Sequence, residues 1–397
     1  MLNKGFVMDI KAEFKKKFNT SQEPLSVYCP YRIAPVGAHS DYQHGLISGF
    51  AINHGVEINF LPTENGQVKI YSGNFDGAAD FSAYELPQRS FDWGDFAKAA
   101  FVSLKRRHRI EKGLIGYIYG SLPVGGLSSS AAVLIAYICA ICKVNDISIT
   151  KSDLIDFALY AEHDYLEMNV GKMDQSCEVY SKKDHLLFLD TLDDTYKLIP
   201  TSENMPPYEF AVIFSGKERK LANTAFNSRV DEAKAAAFAL RAFADIPYGS
   251  FKDSYMRDVP REVFDEYKDK IPPAWCRRAK HFYGEFSRVQ QGAKAWEQGD
   301  IERFGKIMFE SGYSSIYNWE TGSPELKTLY EIMLKCSGVY GGRFSGAGFN
   351  GSSIALLNPE KREEVSEFLR EEYLKVYPQY ENDFSIHFCK TADGVQF

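Results

Sequence analysis

The stretch GLIGYIYGSLPVGGLSSSAAVLIAYICAICKV, which spans residues 113–144, decides the fold. Its opening segment, residues 113–120, is rich in β-branched and aromatic side chains between glycines, which predicts a strand. Its closing segment, residues 130–142, is an apolar run that follows small polar residues, which predicts a buried helix. A turn rich in glycine and serine therefore leads from a strand into the N-terminus of a helix.

That turn, residues 123–132, has the chemistry of an anion site. Free N–H groups and the dipole at a helix N-terminus attract negative charge, and glycine lets a phosphate approach the main chain. The hydroxyl groups of Ser128, Ser129 and Ser130 can bond phosphate oxygens or a Mg²⁺ ion. A helix cap explains one serine but not three beside two glycines, so we predict a phosphate-binding loop. It is not a Walker A loop, because the G-K-[ST] sequence does not occur there.

Composition excludes several classes of protein. The 397 residues allow two or three domains, and 45% hydrophobic with 25% charged residues is typical of a globular chain. A net charge of −7 and the lack of a basic stripe exclude nucleic acid as a partner. The apolar run is too short to cross a bilayer and the N-terminus lacks a signal-peptide core, so we expect a cytoplasmic protein with no membrane partner.

The seven cysteines are scattered, odd in number and unpatterned, which fits a reducing compartment. Cys139 and Cys142 form a C-x-x-C pair inside the apolar run. A buried helix face explains this pair better than a metal or redox site does.

Strands and helices occur in blocks along the chain. The patterns predict mainly strands at 24–120 with a helix at 91–108, helices at 129–168, a strand pair at 185–191 and 209–215, helices at about 218–245, 260–298, 300–313 and 324–336, and a glycine-rich strand region at 338–357. Blocks rather than strict βαβ alternation predict an α+β fold. The proline-rich stretch SENMPPYE marks the boundary between two predicted domains, residues 1–205 and 206–397.

A second polar cluster lies in RIAPVGAHSDY, residues 32–42. Arg32, His39 and Asp41 crowd a segment interrupted by proline and glycine, where polar side chains can point at a polyol. His39 as a structural histidine and Asp41 as a turn residue are the alternatives at this point.

Two acidic residues form the third signal. Glu162 precedes Asp174 by twelve residues, near a helix end and after a glycine turn respectively. Such a pair suits a Mg²⁺ ligand and a carboxylate that faces a hydroxyl group. Taken singly, each is equally explained as a surface charge.

The segment GRFSGAGFNG, residues 342–351, contains a formal G-x-G-x-x-G. A strand-like run, SSIALL, follows it instead of a helix, and only 46 residues remain, so a dinucleotide-binding domain does not fit. A loop that approaches a ligand, or a tight turn between strands, explains this segment.

In this order the four segments resemble those of the GHMP sugar and metabolite kinases, and in particular the galactokinase-like branch. The resemblance implies two domains, an N-terminal one like ribosomal protein S5 and a C-terminal α/β sandwich, with the active site between them. It implies transfer of the γ-phosphoryl group of ATP to the C1 hydroxyl of a sugar. The expected partners are a small-molecule sugar or sugar acid and ATP, in a monomer or homodimer.

The resemblance also implies a role for each matched residue. Asp174 and Arg32 would act at the anomeric hydroxyl, and Ser130 and Glu162 would hold Mg²⁺. The residues implied to contact the sugar are Ala38, His39, Asp41, Phe226 and Gly346, and those implied to contact ATP are Trp93, Gly125, Gly126, Leu127, Ser128, Ser129, Ser130 and Gly348.

One departure from the galactokinase pattern bears on the substrate. Ala38 stands where galactokinases carry a glutamate that accepts a hydrogen bond from the sugar's C6 hydroxyl. For a neutral hexose the change loses about 1.5–3 kcal/mol, whereas for a sugar with a C6 carboxylate it removes a like charge at contact distance. The wording of residues 30–33, 37–39 and 340–349 is also similar to that of galacturonokinases. We therefore predict a D-galacturonate 1-kinase. Galactokinase is the alternative, and a non-catalytic sugar sensor is a third hypothesis.

Further departures concern the sugar and its charge. Phe226 stands where the family has tyrosine, which removes one hydroxyl group. Lys172, Lys217 and Arg219 are candidates to pair with a substrate carboxylate. For Lys172, pairing with Glu167 or exposure to solvent are the alternatives, and we favour solvent.

Overall fold

The structure is a computed structural model. It describes residues 8–122, 127, 129–168, 170–217, 224–346, 348 and 351–397, with the backbone alone at 224–226. None of the helices in these ranges combines the length and the apolar character that a bilayer crossing requires.

The described chain alternates blocks of strands and helices. The strands are β1 (Leu25–Ile33), β2 (Leu46–Thr63), β3 (Gln67–Ser72), β4 (Ala78–Ser82), β5 (Gly113–Gly120), β6 (His185–Asp190), β7 (Tyr196–Pro200), β8 (Glu209–Phe214), β9 (Val339–Phe344), β10 (Ser352–Leu357), β11 (Ser385–Cys389) and β12 (Thr391–Ala392). The α-helices are α1 (Ile10–Phe18), α2 (Asp95–Lys105), α3 (Ser129–Val144), α4 (Lys151–Tyr160), α5 (Met173–Tyr180), α6 (Thr224–Phe243), α7 (Arg261–Tyr267), α8 (Pro273–Gln298), α9 (Ile301–Tyr317), α10 (Pro324–Met333) and α11 (Arg362–Val376). A short π-helical segment, Ala161–Tyr165, extends α4.

Two sheets organise the molecule. The larger, of eight strands, has the order β4-β3-β5-β2-β6-β7, and β1 and β12 also pair with β2. The smaller, of four strands, has the order β11-β8-β10-β9, and all its pairs are antiparallel. In the larger sheet β3 and β5 are parallel. The long strand β2 is therefore the centre on which the first sheet is built.

The predicted central helix is α3. Most of its side chains are buried, including Cys139 and Cys142, so the C-x-x-C pair belongs to the core as expected. All seven cysteines are buried and free. The helix packs on β1 and β2 of the larger sheet. This burial explains why the segment is apolar all round instead of amphipathic.

The main hydrophobic core crosses from one half of the chain to the other. Phe50 of β2 packs on Trp296 of α8, with ring centroids 4.9 Å apart, and on Phe210 of β8 at 5.2 Å. At the other end, Thr391 of β12 pairs with Ile52 of β2, which returns the chain to the larger sheet. The domain boundary at residue 205 stays a prediction.

The α+β class is confirmed, and most of the predicted elements are present. The helix predicted at 260–298 is instead two helices, α7 and α8, because the chain breaks before Pro273, which starts α8. The strands predicted at 185–191 and 209–215 exist as β6 and β8, but they lie in different sheets.

We predict that Gly305→Ala lowers the free energy of unfolding by about 1–3 kcal/mol, because overpacking forces backbone apart. A Cβ at Gly305 of α9 would overlap the carbonyl of Tyr340 of β9. Gly249→Ala is the control, since a Cβ there meets nothing within 4 Å. Urea denaturation measures both variants, and equal midpoints for the two would contradict the prediction.

Candidate active site

An ion pair joins the two predicted catalytic residues. Arg32, near the end of β1, donates from Nε to Oδ1 of Asp174 at 2.8 Å, and its Nη2 lies 2.7 Å from the same oxygen. Asp174 lies in the first turn of α5 and keeps about a quarter of its side chain exposed. Arg32 is buried and also donates from Nη1 to Oγ of Ser345 at 3.2 Å. Strand β1, helix α5 and the end of β9 therefore meet at one point.

Asp41 is attached to the same helix. It starts a short 3-10 turn, and its Oδ2 accepts a hydrogen bond from the backbone N–H of Met173 at 3.1 Å. A Cβ at residue 171 would overlap the Asp41 carboxylate, so the glycine there makes the approach feasible. The carboxylate predicted to bind sugar hydroxyls thus lies beside the residue that precedes Asp174.

His39 and Ala38 lie in the loop between β1 and that turn. The ring of His39 stacks on Trp319 with centroids 5.3 Å apart and planes 10° from parallel. His39 has a left-handed φ of 61°, a conformation that costs free energy in a non-glycine residue and is concentrated at functional sites. Ala38 is buried, and its carbonyl accepts a hydrogen bond from Nε2 of His281 at 2.9 Å.

Glu162 reaches the same region from the π-helical segment. It is buried, and Gln175, the residue after Asp174, donates a hydrogen bond to its Oε2. Ser129 and Ser130 form the first turn of α3 and are partly exposed. Helix α3 packs on α5, which places the predicted phosphate helix against the helix that carries Asp174.

The glycine-rich loop follows β9 and brings the smaller sheet to the same region. Gly346 and Gly348 have φ values of 67° and 78°, the left-handed region that favours glycine. Gly346 follows Ser345, the hydroxyl partner of Arg32. The part of this loop that the structure describes therefore lies beside the predicted catalytic pair.

Not every predicted residue falls in this cluster. Gly125, Gly126 and Ser128 lie outside the described residues, as does the side chain of Phe226. Leu127 is buried. Trp93 precedes α2, where its indole N–H donates to the carbonyl of Asp76 at 2.9 Å, and the described contacts of the indole do not connect it to Asp174.

Burial shapes the charges of the site. Burial lowers the pKa of Arg32, but the charge of Asp174 and its hydrogen bond outweigh this effect and leave that pKa raised, so the guanidinium stays charged. Burial, followed by nearby positive charge, holds the pKa of His39 well below its usual value, so its ring is neutral. Burial raises the pKa of Asp41 to about 6, and the charge of Asp174 adds to the effect.

Two proposed partners for a substrate carboxylate are engaged elsewhere. Lys172 pairs with Asp194 at 2.5 Å, which is none of the three arrangements considered from the sequence. Lys217 pairs with Glu325 at 2.8 Å. Arg219 lies outside the described residues.

Sequence reasoning missed three buried polar residues near the site. Glu285 of α8 accepts the N–H of Gly37 at 2.7 Å. Arg343 of β9 donates to Oγ of Ser311 at 2.7 Å. Glu178, one turn beyond Asp174 on α5, is fully buried, and neither of its oxygens has a hydrogen-bond partner among the described residues. Arg343 lies inside the glycine-rich segment already singled out, whereas nothing in the local sequence marks the other two.

This arrangement suits group transfer to a hydroxyl. A carboxylate held by a buried arginine can orient a hydroxyl group or accept its proton, while a second carboxylate and a neutral imidazole line the same space. A helix N-terminus with serines and a buried glutamate lies on one side, where it can face an anion.

Comparison with known proteins agrees with this chemistry. Models of the GHMP kinases N terminal domain and the GHMP kinases C terminal match residues 95–182 and 293–375. The galacturonokinase of Arabidopsis thaliana is 34% identical, with 93% of this chain and 92% of that protein covered. A galactokinase of Limosilactobacillus fermentum is 31% identical, with 92% and 93% covered. The crystal structure of Lactococcus lactis galactokinase complexed with galactose superimposes with a TM-score of 0.89 at 26% identity, over 97% of this chain and 98% of that one.

The chain therefore belongs to the GHMP kinases. Within that family it is a sugar kinase of the galactokinase and galacturonokinase type, a phosphotransferase that uses ATP. The resemblance noted from the four sequence segments is confirmed.

We predict that Glu178→Met raises the free energy of unfolding by about 1–3 kcal/mol at neutral pH, because an unpartnered buried polar group is costly. Burial raises the pKa of Glu178 well above its ordinary value of 4.5. The folded state thus keeps a proton that the unfolded chain releases above that pH, and wild-type stability falls as pH rises.

The advantage of Glu178→Met over the wild type should therefore widen from pH 5 to pH 8 in urea denaturation. Glu203→Met, at an exposed position, is the control and should change stability by less than about 0.5 kcal/mol. A less stable Glu178→Met protein at every pH would refute the prediction.

Proposed function

We propose that this chain phosphorylates D-galacturonate at its anomeric hydroxyl, with ATP as donor, giving galacturonate 1-phosphate and ADP. The observation that carries the proposal is Ala38, a small uncharged residue in the loop that bears His39 and Asp41. The identity to a galacturonokinase over most of both chains supports the sugar 1-kinase class within which this substrate is proposed.

The acid within the described loop is Asp41, and its Oδ2 accepts the N–H of Met173. A second carboxylate, that of Glu285, reaches the loop from α8 and accepts the N–H of Gly37. Both its oxygens are engaged, Oε1 by Arg288 at 2.7 Å and Oε2 also by Ser311 at 2.9 Å. A sugar carboxylate beside Ala38 would therefore meet an uncharged methyl group instead of an acid.

We place the specificity in this neutral wall, because the two candidate lysines that the structure describes are both paired with acidic residues. Lys172 and Lys217 are held by Asp194 and Glu325. Removing a like charge from a desolvated site favours an anionic substrate even when no cation is added.

In the proposed reaction Asp174 and Arg32 act at the C1 hydroxyl. Asp174 orients the hydroxyl and takes its proton as the oxygen attacks the γ-phosphorus, while Arg32 holds the carboxylate in place. Phosphoryl transfer passes through a loose, charge-rich transition state, so positioning and electrostatics supply most of the acceleration. Asp41, His39 and Gly346 would bind the ring from neighbouring positions, together with Phe226.

The nucleotide would lie along α3 and the glycine loops. We assign its phosphates to Gly125, Gly126, Leu127, Ser128, Ser129, Ser130 and Gly348, and its base to the side of Trp93. The oxygen donors of Ser130 and of the buried Glu162 fit Mg²⁺, which prefers oxygen ligands and in kinases is held by one or two carboxylates plus phosphate. When bound, Mg²⁺ neutralises charge on the β- and γ-phosphates.

Galactose is the second candidate substrate, because a galactokinase with bound galactose shares the fold with a TM-score of 0.89. A panel of galacturonate, glucuronate, galactose and N-acetylgalactosamine with Mg-ATP separates the two proposals by ADP release. Clear preference for galactose would overturn the galacturonate assignment.

We predict that Ala38→Glu lowers kcat/KM for galacturonate by about 100-fold or more, because a like charge at contact distance costs several kcal/mol. Galactose should lose much less, since a glutamate can accept its C6 hydroxyl. Steady-state kinetics on both sugars measure the difference.

Ala38→Gln is the matched control, because it adds the same bulk without the charge. If Gln and Glu at residue 38 depress galacturonate turnover equally, or if Glu depresses both sugars equally, the charge argument fails.

We predict that kcat/KM for the sugar falls as the pH drops through about 6, the value to which burial raises the pKa of Asp41. Below that pH the carboxyl is neutral and loses its charge-assisted bond to a sugar hydroxyl. Asp41→Asn should lower kcat/KM about tenfold or more at pH 7.5 and remove the step near pH 6. An unchanged acid limb in Asp41→Asn would contradict the role, and KM for ATP serves as the internal control.

A further inference from the structure

The peptide backbone on both sides of residue 38 is fixed by one helix. The N–H of Gly37 donates to Oε2 of Glu285 at 2.7 Å, and the carbonyl of Ala38 accepts from Nε2 of His281 at 2.9 Å. His281 and Glu285 are four residues apart on α8, so they present their side chains on one face, a turn apart. The main chain that carries the Ala38 methyl group is thus held at both ends from the other half of the molecule.

Each of these side chains is itself fixed. Nδ1 of His281 lies 3.0 Å from Oγ of Ser314 on α9, and Oε2 of Glu285 also accepts from Oγ of Ser311 at 2.9 Å. His281, Glu285 and Ser311 are fully buried. Burial lowers the pKa of His281 to about 4, so the ring is neutral and donates through Nε2 to the Ala38 carbonyl.

The loop is closely packed on both sides at Gly37. Gly37 has a φ of 96°, and a Cβ there would lie 2.8 Å from Ile47 of β2 and 2.8 Å from Val289 of α8. The Gly37 backbone therefore lies in close contact with α8 on one side and the larger sheet on the other. A change in how α8 holds this loop would shift the Ala38 methyl group directly.

We infer that His281 and Glu285 are positioning residues that set sugar specificity, by fixing the distance between residue 38 and the C6 substituent of the substrate. The inference rests on the proposed galacturonate specificity. Discrimination between a carboxylate and a hydroxymethyl group depends on where the neutral wall lies, and displacement of such a wall by about 1 Å loosens a site.

The test is His281→Phe, which keeps an aromatic ring and removes the donor to Ala38. It should raise KM for galacturonate about tenfold and lower the ratio of kcat/KM for galacturonate over galactose about three- to tenfold, with KM for ATP unchanged. His281→Gln, whose amide can donate to the same carbonyl, should recover most of both losses. A merely structural role would lower stability without moving the sugar ratio.

Two further variants keep the test decisive if His281→Phe folds poorly. Ser314→Ala removes the partner of Nδ1, together with the hydrogen bond that Asn318 donates to the same hydroxyl at 3.1 Å, and should move the ratio in the same direction by about two- to fourfold. Phe304→Leu, in the apolar contact of α9 with Trp296, is the control that lowers stability and leaves the ratio unchanged.

An unchanged sugar KM and an unchanged ratio in both His281→Phe and Ser314→Ala would overturn the inference. The ratio of kcat/KM for galacturonate over galactose is measured first in the wild type, and this value tests only the substrate proposal. If the wild type prefers galactose, that proposal fails, while the shift of the ratio in the variants still decides whether α8 positions residue 38.

Discussion

The fully buried carboxylate of Glu285 is the constraint on which the rest of the site depends. A buried charge without partners costs several kcal/mol, so the chain must bring donors to it. They come from three places: the N–H of Gly37, the guanidinium of Arg288 on the same helix, and the hydroxyl of Ser311 on α9. Ser311 in turn accepts from Arg343 of β9 at 2.7 Å. The hydrogen bonds of this one buried acid therefore connect the loop at Gly37 to α8, α9 and the smaller sheet.

The predicted catalytic pair is attached to the same framework. Two residues after Arg343, Ser345 accepts a hydrogen bond from Arg32, whose other nitrogens hold Asp174. Strand β9, whose Arg343 binds the Ser311 partner of Glu285, thus also leads into the residue that holds Arg32. A kinase that relies on positioning needs such support, because donors fixed before the reaction need no reorganisation during it. The left-handed φ of His39 fits the same picture of a loop held in place by its surroundings.

Short sequence patterns predicted the features that interactions between neighbouring residues determine. The strand and the helix within residues 113–144 and the α+β class followed from residue types in short segments, whereas the meeting of Arg32 with Asp174 followed from the family resemblance alone. Other partners distant in sequence were not predicted. Gly37 and Glu285 are 248 residues apart, and no local signal links them. Strand β12 has only two residues and exists through its pairing with β2, so propensity could not reveal it. The partner of Lys172 was likewise not predicted, because Asp194 lies in the connection between β6 and β7, away from Lys172 in the sequence.

The electrostatics of the site limit how many carboxylates it can hold. Burial, with a contribution from the charge of Asp174, already keeps Asp41 from ionising until about pH 6. Arg32 is engaged with Asp174 and adds no spare counter-charge for a further acid. A glutamate at residue 38 would put one more like charge into this buried space, and a substrate carboxylate would then add a further negative group. Under the proposed specificity a charged sugar is admitted only when the wall beside C6 is neutral. On that proposal the methyl group at residue 38, held in place by α8, admits the charged sugar by the absence of a like charge, without requiring an added lysine.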